Sequence, residues 1–125
     1  MIPVMLVEDE FLIRIGLKTC IPWETLGYQI VAEADSAETA LEKYNEKLPD
    51  LVVTDIRLPG QTGLELMQQL KKNHHRIHFI IVSAYSDFLI AQQAIEIGVD
   101  GYFIKGDLEV EKFANLLLHL KETFF

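Results

Sequence analysis

Polar side chains suited to phosphoryl chemistry stand at the ends of four apolar stretches of this sequence. Glu8 and Asp9 follow the first stretch, Asp55 follows another, and Ser83 and Lys105 each end a further one. Carboxylates brought together repel, because two unit charges about 4 Å apart interact by roughly 4 kcal/mol at an effective dielectric constant near 20. A divalent cation would relieve that repulsion, and a few carboxylate oxygens are ligands that suit Mg²⁺.

A metal ion, an ammonium group and a hydroxyl group together can hold a phosphoryl group while a nucleophile attacks it. A carboxylate can be that nucleophile and become an aspartyl phosphate. We predict that Asp55 is the nucleophile, since the strand before it should lie at the centre of the sheet, and that Glu8 and Asp9 hold the metal. Each residue alone has a plainer interpretation, as a turn former, a helix cap or a surface charge. Their coincidence at four strand ends favours the chemical interpretation.

Five apolar runs alternate with helix-like segments, and this alternation places the polar residues at strand ends. Four runs are almost continuously apolar, which is typical of strands buried on both faces of a parallel sheet. The second run alternates more, so we expect it at an edge. The runs cover residues 3–7, 29–34, 51–54, 78–83 and 101–105.

The intervening segments carry apolar residues at helical spacing. Asp35 with Glu38, and Thr62 with Glu65, are predicted N-terminal capping pairs, and Gly98 is a predicted C-terminal stop. The predicted helices cover residues 11–20, 36–47, 62–70, 87–97 and 108–121.

Right-handed crossovers place such helices on both faces of one parallel sheet. We therefore predict an α/β fold, a doubly wound five-stranded parallel sheet in the order 2-1-3-4-5 with five helices, of the flavodoxin-like kind. It should form one domain over residues 1–125. Ligands of such sheets bind beyond the carboxyl ends of the strands, where the polar residues above would meet.

The composition of the chain argues against a nucleic-acid-binding, a membrane-spanning or a secreted protein. The net charge of −8 disfavours direct binding of nucleic acid. No apolar run approaches the roughly 20 residues that cross a bilayer, and the start lacks the features of a signal peptide, so we expect a cytoplasmic protein without membrane contact. The single cysteine, Cys20, fits a reducing compartment. We expect it to be buried on the apolar face of the first helix, which carries Leu12, Ile15, Gly16 and Thr19. The basic stretch over residues 71–76 is interpreted as a solvated loop rather than a metal site.

These residues and their spacing resemble the receiver domain of two-component response regulators. The likeness covers the whole chain and is carried by the acidic pair and by "TDIRLPGQTG", "VSAY" and "GYFIK". It implies that a sensor histidine kinase phosphorylates Asp55. It also implies that Mg²⁺, or Mn²⁺, binds Asp9, Asp55 and the backbone carbonyl of Arg57, with Glu8 acting through water.

The resemblance also implies a switch rather than an enzyme, with only self-catalysed phosphoryl transfer and dephosphorylation. Ser83 and Lys105 would contact the phosphoryl oxygens, Ala84 would border the phosphoryl group's approach, and Tyr102 would be the switch aromatic. Phosphorylation would then change the surface of the fourth helix, fifth strand and fifth helix. That surface could form a homodimer through Phe88, Phe103 and Leu118, and the alternative is that these residues are core or ordinary exposed apolar residues.

A narrower resemblance concerns the output. The stretch around Trp23, with "WETLG", and the stretch "YSDF" are similar to receivers joined to AraC-type helix-turn-helix DNA-binding domains. A DNA-binding output domain for transcription regulation would then lie outside this chain. Trp23 should anchor the loop after the first helix, and kinase choice should depend on Phe11, Arg14 and Ile15.

One departure and three alternatives accompany this interpretation. Gly106 stands where the family usually has proline, so we predict a trans Lys105–Gly106 bond or a mobile loop. A small Asp-nucleophile phosphatase would want a second Asp at position 57, which is Arg. A flavodoxin-like nucleotide or FMN domain would want a phosphate-binding loop after the first strand, and the sequence there is acidic. A pseudo-receiver that is never phosphorylated is favoured only by Gly106.

Overall fold

The structure, a computed structural model, describes residues 1–74, 76–84 and 88–125. The five strands form one parallel sheet in the order β2-β1-β3-β4-β5, which confirms the predicted fold, with the more alternating β2 at an edge. The strands are β1 Ile2–Val7, β2 Tyr28–Ala34, β3 Leu51–Thr54, β4 His78–Ser83 and β5 Gly101–Ile104.

Five helices cover the sheet, as predicted. They are α1 Phe11–Cys20, α2 Ala37–Lys47, α3 Gly63–Asn73, α4 Phe88–Ile97 and α5 Val110–Phe124, and a short 3-10 helix covers Lys105–Asp107. Residues 75 and 85–87, which include part of "VSAY" and of "YSDF", part of the basic stretch and the first residue of the predicted 87–97 helix, lie outside the described residues. Among the described residues, no helix combines the length and apolar character that crossing a membrane requires.

The helix ends confirm two of the predicted signals and correct others. Thr62 and Glu65 form the reciprocal capping box of α3, and Gly98 ends α4 with a φ of 101°. The N-cap of α2 is Ser36 rather than Asp35, because the Ser36 hydroxyl accepts the Thr39 N–H at 3.1 Å. Helix α3 runs on to Asn73, so the two lysines at 71 and 72 belong to its last turn rather than to a loop.

Each face of the sheet carries its own apolar core. Side chains of β1 alternate between them, with Met5 and Val7 in the core beneath α2, α3 and α4, and Val4 and Leu6 in the core beneath α1 and α5. Full burial of one such side chain contributes roughly 1.5–3 kcal/mol. Two continuous apolar layers therefore hold the strand ends, and with them the site, in fixed relative positions.

The predicted apolar face of α1 is wrong. Leu12 is 80% exposed and Cys20 is exposed, whereas Leu17 is the buried residue of the helix. Helix α1 ends at Cys20, and the chain turns into the core only at the next residue, Ile21, so the thiol faces solvent.

Trp23 anchors the loop after α1, as predicted. Its indole N–H donates to the Leu17 carbonyl at 2.9 Å, and its ring meets Tyr28 and Phe113 edge-on. These contacts join the end of α1 to β2 and α5.

Candidate functional site

The register of the sheet brings the predicted site residues to one edge. Val7 pairs with Thr54, so the residues that follow them, Glu8 and Asp55, emerge side by side from neighbouring strands. Ser83 pairs with Ile104, so the next residue, Lys105, lies just beyond the end of β4. The predicted convergence of acids, hydroxyl and amine at the carboxyl edge therefore occurs in the structure.

Lys105 lies at the centre of the charged group. Its Nζ is 2.7 Å from Oε1 of Glu8, 2.9 Å from Oδ2 of Asp55 and 3.2 Å from Oε1 of Glu10. The contacts to Asp55 and Glu10 are well-aligned hydrogen bonds. The contact to Glu8 is the shortest and is an ion pair; within the described part of the chain, Oε1 of Glu8 has no well-aligned hydrogen bond.

Four carboxyl groups gather at this edge of the sheet, and three of them contact the Lys105 ammonium. One oxygen from each of Glu8, Asp9, Glu10 and Asp55 lies within 4.8 Å of the others. These four acids greatly outnumber the one lysine beside them, so the group is acidic and offers only oxygen ligands. That donor set fits a hard divalent cation such as Mg²⁺.

The sequence reasoning missed Glu10. The signal was present, since Glu10 is the third consecutive acid after β1. It looked like an ordinary acid at the start of a helix, where carboxylates are common. Only the fold, which brings Lys105 beside it, shows that its side chain belongs to the site.

The backbone around Asp55 is tightly held. The Asp55 N–H donates to the Val7 carbonyl at 3.0 Å, and the Ile56 N–H donates to Oδ1 of Asp55 at 2.7 Å. The Gly63 N–H donates to the Ile56 carbonyl at 2.6 Å, which brings the start of α3 against the site. One carboxylate oxygen is thus fixed by the backbone while the other faces Lys105.

Burial sets the charge states of this group. Burial raises the pKa of Glu8 to about 7, while Lys105 and the Glu10 N–H oppose the rise and Asp55 adds to it. Burial alone would lower the pKa of Lys105, but contacts with Glu8 and Asp55 outweigh it, so the pKa lies above its ordinary value. Lys105 is therefore a permanent cation at physiological pH.

The remaining predicted residues lie near this edge in different settings. Ser83 is fully buried at the end of β4, and Ala84 after it is exposed. Tyr102 is partly buried in β5 and packs on the core beneath α4. Arg57 is exposed in the loop after Asp55, where it forms a bridge with Thr62.

The Lys105–Gly106 peptide bond is trans, as predicted, and it lies within the 3-10 helix that follows β5. Gly106 thus does not disturb the placement of Lys105 against Asp55.

Comparison with known proteins gives consistent matches. The family described as response regulator receiver domain matches residues 4–115. The chain is 34% identical over 116 residues to the uncharacterized transcriptional regulatory protein YesN of Bacillus subtilis, covering 93% of this chain and 32% of that protein. It is 34% identical over 106 residues to the response regulator GacA of Pseudomonas viridiflava, covering 85% and 49%. The chain thus spans about a third to a half of the length of these relatives.

Solved structures agree with the sequence matches. The receiver domain of AraT, a response regulator from Geobacillus stearothermophilus, is 31% identical and superposes with a TM-score of 0.87, covering 96% of this chain and 92% of that chain. Since the family match also takes in most of the sequence, the chain belongs to the response regulator receiver domain family.

Proposed function

We propose that this chain is a phosphorylation-dependent signalling switch in which Asp55 accepts a phosphoryl group from a sensor histidine kinase. The observation that carries the proposal is the Lys105 ammonium, 2.9 Å from Oδ2 of Asp55, the carboxylate oxygen that the backbone does not bind, inside a group of four acids. The Asp55 oxygen attacks phosphorus, the phosphorus–nitrogen bond of the kinase's phosphohistidine breaks, and its electron pair stays on the histidine nitrogen, which takes up a proton.

Mg²⁺, or Mn²⁺ in its place, fits the acidic group, and bound there it would neutralise phosphoryl oxygens. Asp9, Asp55 and the Arg57 carbonyl would hold it, with Glu8 acting through water. Lys105 and the Ser83 hydroxyl would bind phosphoryl oxygens directly. The backbone hydrogen bonds around Asp55 keep the nucleophile oriented while this happens.

The output of the switch would be a changed surface on α4, β5 and α5. Ser83 would move toward the phosphoryl group, Ala84 leaves room for its approach, and Tyr102 would repack beside α4. Phe88 is 76% exposed and Leu118 is 40% exposed, which supports a homodimer through this surface. Phe103 instead packs on Phe113 with ring centroids 5.0 Å apart, so it supports the core rather than the dimer.

Partner choice and output complete the proposal. Phe11 and Ile15 are exposed on α1 next to the acidic loop, so they are candidates for kinase selection. Arg14 is less suited to that role, because it donates to the Glu8 carbonyl and pairs with Glu33. Because the transcriptional relative YesN is about three times longer, a DNA-binding output, AraC-type by the sequence resemblance, would lie outside residues 1–125. We expect the location to be cytoplasmic.

The test is incubation with acetyl phosphate or phosphoramidate and Mg²⁺, read by intact mass. We expect a gain of one phosphoryl group in the wild type and none in Asp55→Asn. Asp50→Asn is the matched control, since Asp50 is exposed at the opposite end of β3, and it should label normally. Equal labelling of Asp55→Asn would place the acceptor elsewhere. Steady turnover of a phosphomonoester would support a phosphatase instead.

A further inference from the structure

Among the described residues, three acids contact Lys105, and Glu10 is the one of these that has no part in the phosphoryl transfer proposed above. Glu8 and Asp55 contact Lys105 and also belong to the proposed metal and acceptor sites. Glu10 contacts the same Nζ at 3.2 Å, although the two residues are 95 positions apart in the sequence. A role for this contact rests on the proposed function of Asp55 and adds to it.

The Glu10 contact is the weakest of the three. It is the longest, and the Glu10 side chain is 61% exposed, against 2% for Glu8 and 7% for Asp55. Exposed ion pairs are screened by solvent and contribute little. Of the three partners of Lys105, Glu10 is therefore the one that leaves most readily.

The side chain of Glu10 has no capping role that would explain its position. Glu10 is the N-cap of α1, yet its side chain makes no capping hydrogen bond. Its backbone is fixed, because its N–H donates to Oε2 of Glu8 at 3.2 Å and its carbonyl accepts the Arg14 N–H at 3.0 Å. Because the backbone of Glu10 is fixed and its side chain caps no N–H, the carboxylate is left to contact Lys105.

The ammonium of Lys105 has three N–H donors, and three carboxylate oxygens lie around it. Two of these donors bind Asp55 and Glu10, and Glu8 lies closest as an ion pair, so a phosphoryl oxygen that approaches Nζ competes with these three oxygens for the space around it. We propose that Glu10 is a placeholder partner of Lys105, which holds the ammonium over Asp55 before phosphorylation and is displaced by a phosphoryl oxygen. Glu10 is thus a positioning residue. Because its contact with Lys105 must break before a phosphoryl oxygen can bind there, it slows capture of the phosphoryl group.

Two variants separate the contact from the charge. Glu10→Ala removes both, and Glu10→Asp keeps the charge but shortens the side chain by one methylene, so that it no longer reaches Lys105. Glu122→Ala is the matched control, since Glu122 is exposed on α5, whose C-terminal end packs near the start of β4 at the opposite edge of the sheet. Glu10 and Glu122 are both exposed, so the substitutions should leave folding intact.

The measurements are the rate of labelling by acetyl phosphate and the affinity for the beryllium trifluoride anion, a phosphoryl analogue, both at saturating Mg²⁺. We expect Glu10→Ala and Glu10→Asp to raise both by roughly two- to fivefold, the size of one exposed ion pair. Glu122→Ala should match the wild type. The affinity is read by thermal shift, which does not depend on turnover.

The outcomes distinguish this inference from the function on which it rests. If the wild type labels on Asp55 and both Glu10 variants behave like it, the placeholder role is overturned and the proposed function stands. If Glu10→Ala accelerates labelling while Glu10→Asp does not, a general charge effect replaces the placeholder. If the wild type neither labels nor binds the analogue, both proposals fall.

Discussion

Gly63 lies directly against the backbone carbonyl of Asp55. A Cβ built on Gly63 would stand 2.0 Å from that oxygen, closer than any real Cβ contact. The first residue of α3 therefore has no room for a side chain, and this closeness lets its N–H bind the Ile56 carbonyl. This hydrogen bond connects the loop that contains Asp55 to the first residue of α3.

Gly63→Ala should push the Asp55 loop away from α3. We expect unfolding free energy to fall by about 1–3 kcal/mol, as overpacking in a tight site does, and labelling of Asp55 to slow. Gly16→Ala is the control, because nothing lies within 4 Å of a Cβ built there and Gly16 is inside α1. That variant should be stabilised by roughly 0.5–1 kcal/mol. Urea unfolding measures both, and equal stability of the two variants would contradict the packing argument.

Arg14 should support metal binding without touching the metal. Its Nη1 donates to the Glu8 carbonyl at 2.6 Å, and its Nε pairs with Glu33 at 3.2 Å, so it ties the acidic loop to β2. We expect Arg14→Ala to weaken Mg²⁺ binding by about three- to tenfold, the size of one ordinary hydrogen bond in a protein. Titration calorimetry measures this.

Lys18 provides a matched control for Arg14. It pairs with the same Glu33 at 2.9 Å, but it is more exposed, and the Glu8 carbonyl is bound by Arg14. Lys18→Ala should therefore leave Mg²⁺ affinity close to that of the wild type. A loss of the same size in both variants would show that the charge of Arg14, rather than its bond to the loop, matters.

Much of this site could be predicted from sequence because its residues come directly after buried strands. A continuous apolar run fixes where a parallel strand ends, so Asp55 and Lys105 could be assigned to one edge before any coordinates. Glu10 could not be assigned, because its partner is 95 positions away and nothing local distinguishes it from a helix-start acid. Whether the Glu10 side chain points to the site depends on the tertiary fold, which the local sequence does not show.

The same limit explains the errors in α1 and α2. Leu12 and Cys20 have the spacing of an apolar face, but the sheet selects the face that contains Leu17. Asp35 and Ser36 can both cap a helix, and the entry direction of the chain after β2 decides for Ser36.

Tyr28 should make stability fall at alkaline pH. Its hydroxyl donates to the Leu117 carbonyl at 2.5 Å in the core beneath α5, and burial raises the pKa of Tyr28 to about 12 from an ordinary 10. Between these values the folded protein keeps a proton that the unfolded chain loses, so stability decreases as pH rises, by at most about 1.4 kcal/mol per pH unit. Urea unfolding from pH 9 to pH 11.5 measures the slope.

Tyr28→Phe isolates that slope from other groups that titrate in the same range. The variant should lose roughly 0.5–1.5 kcal/mol near neutral pH with its hydrogen bond, and its stability should decline less steeply above pH 10. If the free energy of unfolding fell equally steeply with pH in both proteins, the pKa of Tyr28 would not be raised by folding.

Ile95 should take part in the proposed homodimer of the phosphorylated state. It is 71% exposed on α4, on the surface that phosphorylation is proposed to change, and burying an apolar side chain of this size contributes roughly 1.5–3 kcal/mol. Ile95→Lys would place charges opposite each other across a symmetric interface, so we expect dimerisation in the presence of beryllium trifluoride to weaken at least tenfold. Sedimentation velocity measures the association.

Leu12→Lys, at a residue 80% exposed on α1, adds the same charge to a different face and should leave the dimer intact. If Leu12→Lys rather than Ile95→Lys abolished association, the dimer would form through α1, and the surface of α4, β5 and α5 would be available for another partner.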